Sequence, residues 1–573
     1  MKNTLNSIRH SLAHLLGAAV LELYPGSKLA IGPSIDDGFY YDIEVAGKIS
    51  DSDLPRIETE MRKILKFWDE FEEVKETAKS AEKHYVDNAY KLELIKELAV
   101  KKEKITSYKS DKFVDLCRGG HVKSAQDINT EAFKLSHVAG AYWRGDEKNT
   151  QLTRIYGYAF ETKKELDEYL VMLEEARKRD HKILGPQLEL FMFHQTSPGM
   201  PYWLPNGVVI YNRLIEFWRE EHQKRDYQEI VSPLLNKKEL YITSGHYDHY
   251  WSDMFVANMD ENEVYGVKAM NCPNAMIVFG SKGRSYRNLP LRLSDTDTLH
   301  RYERSGTLNG LLRVREFRQD DAHIFVTEEQ IGSEYKQILE IVKRFYSIFG
   351  MHYTFRLGTR PESFLGDVET WDQAEKTLQE ILESSGKEFN ILPGDGAFYG
   401  PKVDIVMKDA LGREWQMGTI QLDFQQPRRF NLEYTATDGS KKTPVAIHRV
   451  IYGSMERFIG ILIEHYAGAF PVWLSPVQVA VLPITDKQNN WAEEVSNELK
   501  EAGVRVEINK DNETLGKKIR GAETQKIPYL LIVGDKEIEA KSVAVRQRGK
   551  GDLGQIKTNE FLKKIKEEIY LKK

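Results

Sequence analysis

Cysteine is nearly absent: the 573 residues include two, Cys117 and Cys272. That count excludes a disulfide framework and fits a reducing compartment. Long apolar runs are missing too. No stretch approaches the roughly 20 residues that a membrane span needs, and the N-terminal "MKNTLNSIRH" lacks the apolar core of a signal peptide. Charge of one sign is equally scarce. Lys and Arg number 81 against 87 Asp and Glu, and the net charge of −6 argues against indiscriminate nucleic-acid binding. It leaves room for RNA on a local basic surface. What remains is an ordinary composition, 41% hydrophobic and 29% charged, in a chain too long for one core. A cytoplasmic, multidomain enzyme without membrane attachment is expected.

The first chemistry-bearing stretch is "HSLAHLLGAA", which sets His10 and His14 one helical turn apart. The segment predicts a helix capped at Asn3 or Thr4 and stopped by "YPG" at 24–26. Ile8, Leu12, Leu15, Leu16, Ala19 and Leu23 form its buried stripe. His10 and His14 point away from that stripe, beside Ser7, Gly17 and Ala18, small residues that leave room for a ligand. The pair lacks the adjoining Glu of the H-E-x-x-H protease motif. "DLCRGGH" adds Cys117 and His121, again four apart, with Asp115 before them. HxxxH plus CxxxH can assemble a four-ligand metal site, or a metal-free pocket that positions water for hydrolysis.

With "IGPSIDDGFYYD" (31–42) and "YKLELI" (90–95) lying between, this pattern resembles the editing domain of threonyl- and alanyl-tRNA synthetases, and is similar to the bacterial threonyl-tRNA synthetases in particular. The rest of the chain supports the resemblance. A helix bearing Tyr211, Leu214, Ile215 and Trp218, followed by "YQEIVSP", resembles motif 1 of class II aminoacyl-tRNA synthetases, through which they form homodimers. "HRYERSG" and "LLRVREFRQDDAHIF" (300–306 and 311–325) resemble motif 2, two strands joined by a loop. "GSMERFIGILIE" (453–464) resembles motif 3. The implied fold is α+β and multidomain. It has an editing domain at 1–160, a charged linker helix at 161–186, a class II antiparallel-sheet core at 187–474, and an α/β anticodon-binding domain at 475–573.

Forming an aminoacyl adenylate brings a carboxylate onto the α-phosphate of ATP, so fixed cations are the main catalytic device. The resemblance assigns Arg301 to the amino-acid carboxylate and the α-phosphate. Glu303 reads the adenine amino group, Phe317 stacks under the ring, and Arg313 and Arg457 hold the terminal phosphates with Mg²⁺. It makes Cys272, His323 and His448 the ligands of one Zn²⁺ per subunit, with an open position for the amino group and hydroxyl of L-threonine. Asp321 and Tyr399 take the ammonium and Gln319 the carboxylate. Tyr399 and Lys402 come from "GDGAFYGPK", and Gln416 contacts the nucleotide or the terminal adenosine of tRNA(Thr).

A metal that demands a hydroxyl rejects valine, but serine lacks only a methyl group. That difference is worth about 1–3 kcal/mol, or roughly 10–200-fold, which calls for a second, hydrolytic site. His10, His14, Lys91, Asp115, Cys117 and His121 are its candidates, and the resemblance favours a pocket without metal. In the C-terminal part, alternating strands and helices imply a small sheet flanked by helices. Glu537 and Arg546 are the candidate anticodon contacts there. The ubiquitin-like domain that usually precedes the editing domain is not expected, since Met1 lies nine residues before His10. Two rivals are an inactive paralogue acting as an RNA-binding or regulatory protein, and a class II synthetase for proline or serine. The intact motif arginines weigh against the first, and the zinc trio with HxxxH/CxxxH against the second.

Overall fold

A computed structural model describes residues 2–260, 263–409 and 412–572. The chain forms two compact units, 1–174 and 175–573. No helix among the described residues is long and apolar enough to cross a membrane.

In the first unit the opening helix runs Lys2–Leu23. It already includes positions 3 and 4, so the expected cap does not form there. Leu12, Leu15, Leu16 and Ala19 are buried as the periodicity requires. The opposite side is covered as well, since Ser11, Ala13 and His14 are also buried. The room expected beside Gly17 is taken: a Cβ there would meet Leu29 Cδ1 and Tyr41 Cε2 at 3.1 Å. The helix packs with Phe39, Tyr41, Ile43, Phe133 and Ile155 of an antiparallel sheet in which strand Gly38–Glu44 pairs with Gln151–Ala159, and that strand with Phe133–Tyr142. A second sheet joins Glu72–Glu76, Ile105–Ser110 and Phe113–Leu116. Helix Ala89–Val100 is capped by Asn88, whose side chain accepts the Lys91 N–H.

The charged linker departs from expectation. Two helices, Lys163–Arg179 and His181–Gln187, replace the single one. Asp180 leaves the helical region (ψ 120°) and its side chain accepts the Lys182 N–H. An Asp side chain competes well for backbone N–H groups at a cap and poorly serves a helix interior.

The second unit is built on an eight-stranded sheet in the order 228–229, 291–295, 321–326, 445–450, 414–423, 402–408, 353–358, 389–392. Its pairings are antiparallel except at the two edges, which are parallel. Of "YQEIVSP" only Gln228–Glu229 enters this sheet. Helices Pro205–Gln223, Ile331–Ile348 and Met455–Tyr466 supply much of its core, including Trp218, Tyr335 and Phe458. The C-terminal five-stranded sheet orders its strands 506–508, 479–483, 529–533, 542–547, 551–557. The first three are mutually parallel and the last two add antiparallel. Strand–helix alternation explains the parallel part.

Candidate active site and second histidine pocket

The second unit holds a cavity of about 620 Å³. Every residue proposed from the sequence for activation lines it: Arg301, Glu303, Arg313, Phe317, Gln319 and Asp321 from one stretch, Tyr399, Lys402, Gln416 and Arg457 from others, and Cys272, His323 and His448. Sheet register explains the convergence. His323 and His448 are direct cross-strand partners on antiparallel strands, with ring centroids 4.9 Å apart. Such pairs place side chains on one face within contact distance. Cys272 opens helix Cys272–Gly280 against them. One ligating atom from each of the three lies within 4.8 Å of the others.

The donor set suits a metal ion. His323 is 1% exposed, yet its Nδ1 has no hydrogen-bond partner. Buried polar atoms rarely go unmatched, so an orphan among thiol and imidazole groups points to a ligand. His448 Nε2 lies 2.9 Å from Asp423 Oδ2, the outer contact that orients ligating imidazoles. Burial pushes the Cys272 thiol well above its ordinary pKa, with Asp321 and Asp423 adding to the shift.

The rest of the cavity is cationic. Burial, with Arg313 and Arg301 nearby, lowers the pKa of Arg457. Its guanidinium is aimed by two carbonyls, Leu312 O at 2.9 Å and Gln416 O at 2.8 Å. Arg301 donates to Ala269 O at 3.2 Å and its Cζ lies 5.2 Å from the Phe317 ring centroid. Arg313 donates to Glu303 at 2.9 Å, so two residues given to opposite ends of ATP are paired with each other in this structure. Lys402 lies 3.0 Å from Asp395 and 3.1 Å from Asp404. The Gln416 amide donates to Asp404 at 2.7 Å. Asp321 accepts from Asn271 at 3.1 Å, and burial pushes its carboxyl up to about 6. Tyr399 donates to Gln421 at 2.5 Å.

Three residues of this region escaped the sequence reading. His246 lines the cavity, its Nε2 3.7 Å from Cys272 Sγ. Asp423 holds His448. Asp320 accepts the N–H groups of Ile451 and Gly453 at 3.0 Å and so fixes the approach to motif 3. None belongs to a spacing pattern. Only the folded arrangement of helix and strands shows them.

The first unit gathers all six of its candidates. The opening helix presents His10 and His14 to the loop after strand Phe113–Leu116. In that loop Gly119 and Gly120, at φ 93° and 95°, turn His121 back onto Cys117. Positive φ at both positions is why the loop needs glycine. Cys117 Sγ lies 3.1 Å from His10 Nε2 and 3.3 Å from His121 Nε2, and His121 Nδ1 lies 3.2 Å from Ser11 Oγ. Burial holds the imidazolium forms down. His121 falls to about 2, with His14 and His10 adding to its shift, and His14 is well below its ordinary value. Beneath them Lys91 Nζ meets Asp115 Oδ1 at 2.6 Å, both side chains 2% exposed. Asp115 also accepts the Tyr41 hydroxyl, a contact that no spacing in the sequence announces.

In the C-terminal part, Glu537 accepts the Gly534 N–H at 2.9 Å, capping the short helix Asp535–Glu539. Arg546 Nη2 lies 3.5 Å from Glu523. Each therefore already has a protein partner.

Three family models match the chain. A tRNA synthetase class II core domain (G, H, P, S and T) covers 250–466, an anticodon binding domain 478–568, and the threonyl and alanyl tRNA synthetase second additional domain 105–156. A threonine–tRNA ligase of Clostridium botulinum (strain Loch Maree / Type A3) is 52% identical over 99% of this chain and 89% of its own. That of Acetivibrio thermocellus is 50% identical over 98% and 88%. A crystal structure described as the RNA binding domain of threonyl-tRNA synthetase from Cryptosporidium parvum Iowa II aligns at a TM-score of 0.66 and 42% identity. It covers 68% of this chain and 98% of that one.

Proposed function

The chain belongs to the threonyl-tRNA synthetases, and from that premise we propose how its residues perform the ligase reaction. The enzyme activates L-threonine with ATP, releasing pyrophosphate, transfers threonine to tRNA(Thr), and carries an editing domain for mischarged seryl-tRNA(Thr). The observation carrying our assignment is the cavity that gathers the thiol–imidazole trio with Arg301 and Arg457.

Cys272, His323 and His448 would hold Zn²⁺, which supplies a Lewis-acid position for the amino and hydroxyl groups of threonine. Asp321 and Tyr399 receive the ammonium, and Gln319 the carboxylate. Arg301 stands between that carboxylate and the α-phosphate, cancelling the repulsion of two anions. Arg457, held rigid by its two carbonyls, and Arg313 take the polyphosphate with Mg²⁺. Arg313 must leave Glu303 to do so, which frees Glu303 for the adenine amino group. Arg301 and Arg457, already held by backbone carbonyls, stabilise charge without reorganising at the moment of reaction. Phe317 offers its ring to adenine, Gln416 faces the nucleotide or the terminal adenosine, and Lys402 orders Asp395 and Asp404 at the cavity edge.

In the editing pocket the neutral imidazoles of His10, His14 and His121 orient water at the seryl ester, and Cys117 closes the wall. Lys91 and Asp115 are the buried ion pair that holds the pocket's floor. Glu537 and Arg546 are proposed to face the anticodon loop, and the Pro205–Gln223 helix to lie at a homodimer interface. Residues 1–160, 187–474 and 475–573 are assigned to editing, activation and anticodon binding, in a cytoplasmic enzyme.

Threonine-, serine-, valine- and proline-dependent exchange of pyrophosphate into ATP tests the assignment. Threonine is expected to support exchange, serine weakly, and valine and proline not at all. Exchange with none of the four would restore the inactive-paralogue reading.

A further inference from the structure

His181 belongs to neither pocket, yet it touches the machinery of one. The helix break at Asp180 turns it inward, and it is fully buried at 0% exposure. Its Nδ1 lies 2.7 Å from Glu464 Oε1, near the end of the motif 3 helix Met455–Tyr466 that carries Arg457. Its Nε2 accepts the backbone N–H of Leu311 at 3.0 Å. A ring that accepts at Nε2 carries its proton at Nδ1 and donates it to the carboxylate. Both nitrogens are therefore used, and the tautomer is fixed.

The Leu311 end of this chain leads straight to the ATP-binding arginines. Leu311 sits in the tight turn Gly310–Leu312 of motif 2. The next carbonyl, Leu312 O, accepts from Arg457 Nε at 2.9 Å, and the residue after it is Arg313. The fit is close: a Cβ on Gly310, which has φ +50°, would come within 2.3 Å of His181 Nε2. One imidazole thus ties the helix of Arg457 to the turn that aims Arg457 and bears Arg313.

We propose that His181 is a positioning residue for ATP, setting the motif 2 turn through a Glu464–His181–Leu311 chain. It touches no substrate and acts through the two arginines. The inference rests on the reading of the cavity as the ATP site. A buried histidine that only filled space would need neither ring nitrogen. Here, losing the ring strands a buried N–H and a buried carboxylate, and that cost falls on the turn.

The test compares His181→Asn with His181→Gln in the full chain. Glutamine reaches far enough for its carbonyl to accept the Leu311 N–H, whereas asparagine is too short and keeps only a donor toward Glu464. In threonine-dependent pyrophosphate exchange, His181→Asn should raise KM for ATP about tenfold, the worth of roughly one hydrogen bond. KM for threonine should not change, and His181→Gln should recover most of the loss. Glu464→Gln, which keeps the packing and weakens the partner, should shift ATP in the same direction by less. This variant carries the test if His181→Asn does not fold. Equal losses in His181→Asn and His181→Gln, or equal shifts in the two substrates' KM, would overturn the proposal. So would an unchanged ATP KM in folded Glu464→Gln. Absence of exchange in the parent chain would instead sink the reading of the cavity itself.

Discussion

Cys117 has His10 Nε2 at 3.1 Å and His121 Nε2 at 3.3 Å, whereas the pocket of Cys272 leaves the buried His323 Nδ1 without any protein partner. The two sites use the same side-chain types, one cysteine and several imidazoles, clustered within the same 4.8 Å. They differ in whether the groups satisfy one another. In the first unit Cys117, His10, His121 and Ser11 engage one another, which suits a pocket that handles water and substrate. In the second, Asp423 braces one ring while another is left facing inward, the arrangement of a site completed by an ion. Composition alone does not tell a metal centre from a hydrolytic pocket. The unmatched atom is what distinguishes the two pockets in this structure.

The comparison breaks most visibly if the first pocket is disabled alone. A His10→Ala, His14→Ala double variant should lose hydrolysis of seryl-tRNA(Thr) by about 10²–10⁴-fold, the usual contribution of positioned acid–base groups. Threonine-dependent pyrophosphate exchange should stay at the parent level. Hydrolysis persisting in the double variant would contradict the assignment.

A milder change sharpens the other side. Asp423→Asn keeps the shape but weakens the brace on His448, and loss of an outer contact of this kind lowers metal affinity about 10–100-fold. Competition with a chelator, read as zinc released, checks it directly. Metal retention equal to the parent would show that Asp423 does not brace a ligand.

The smallest effect is on stability, and its sign differs between the imidazoles of the first pocket and two buried carboxyls of the second unit. Burial holds the pKa values of His10, His14 and His121 below 6.5, His121 at about 2. The unfolded chain therefore takes up protons first, and stability falls as pH drops below 6.5. In the second unit, burial pushes the carboxyls of Glu456 and Asp320 up to about 7. These groups stabilise most below their unfolded values near 4, and that contribution is lost as pH rises to about 7. Glu456→Gln should thus gain stability relative to the parent on going from pH 5 to pH 8, by about 1 kcal/mol or more. Thermal unfolding at the two pH values measures this difference, and an unchanged difference would remove Glu456 from the account.

Much of the candidate site was legible because its signals are local. Helical spacing paired His10 with His14, and the motif segments held Arg301, Arg313 and Arg457 in short quotable strings. What escaped depends on partners distant in sequence. Asp423 matters because its strand lies beside that of His448, and Tyr41 because the sheet brings it under Asp115. His181 was hidden inside a charged run that reads as one continuous helix. Its only clue was the Asp before it, an N-cap residue amid lysines and arginines. The space beside Gly17 was misjudged for a related reason, since periodicity along one helix says nothing of the tyrosine packed across from it.

Zinc content of the purified chain and of its two cysteine variants tests the central contrast most directly. Elemental analysis should find one zinc per chain in the parent and in Cys117→Ala, and none in Cys272→Ala. Zinc that survives in Cys272→Ala, or that disappears with Cys117, would contradict the account.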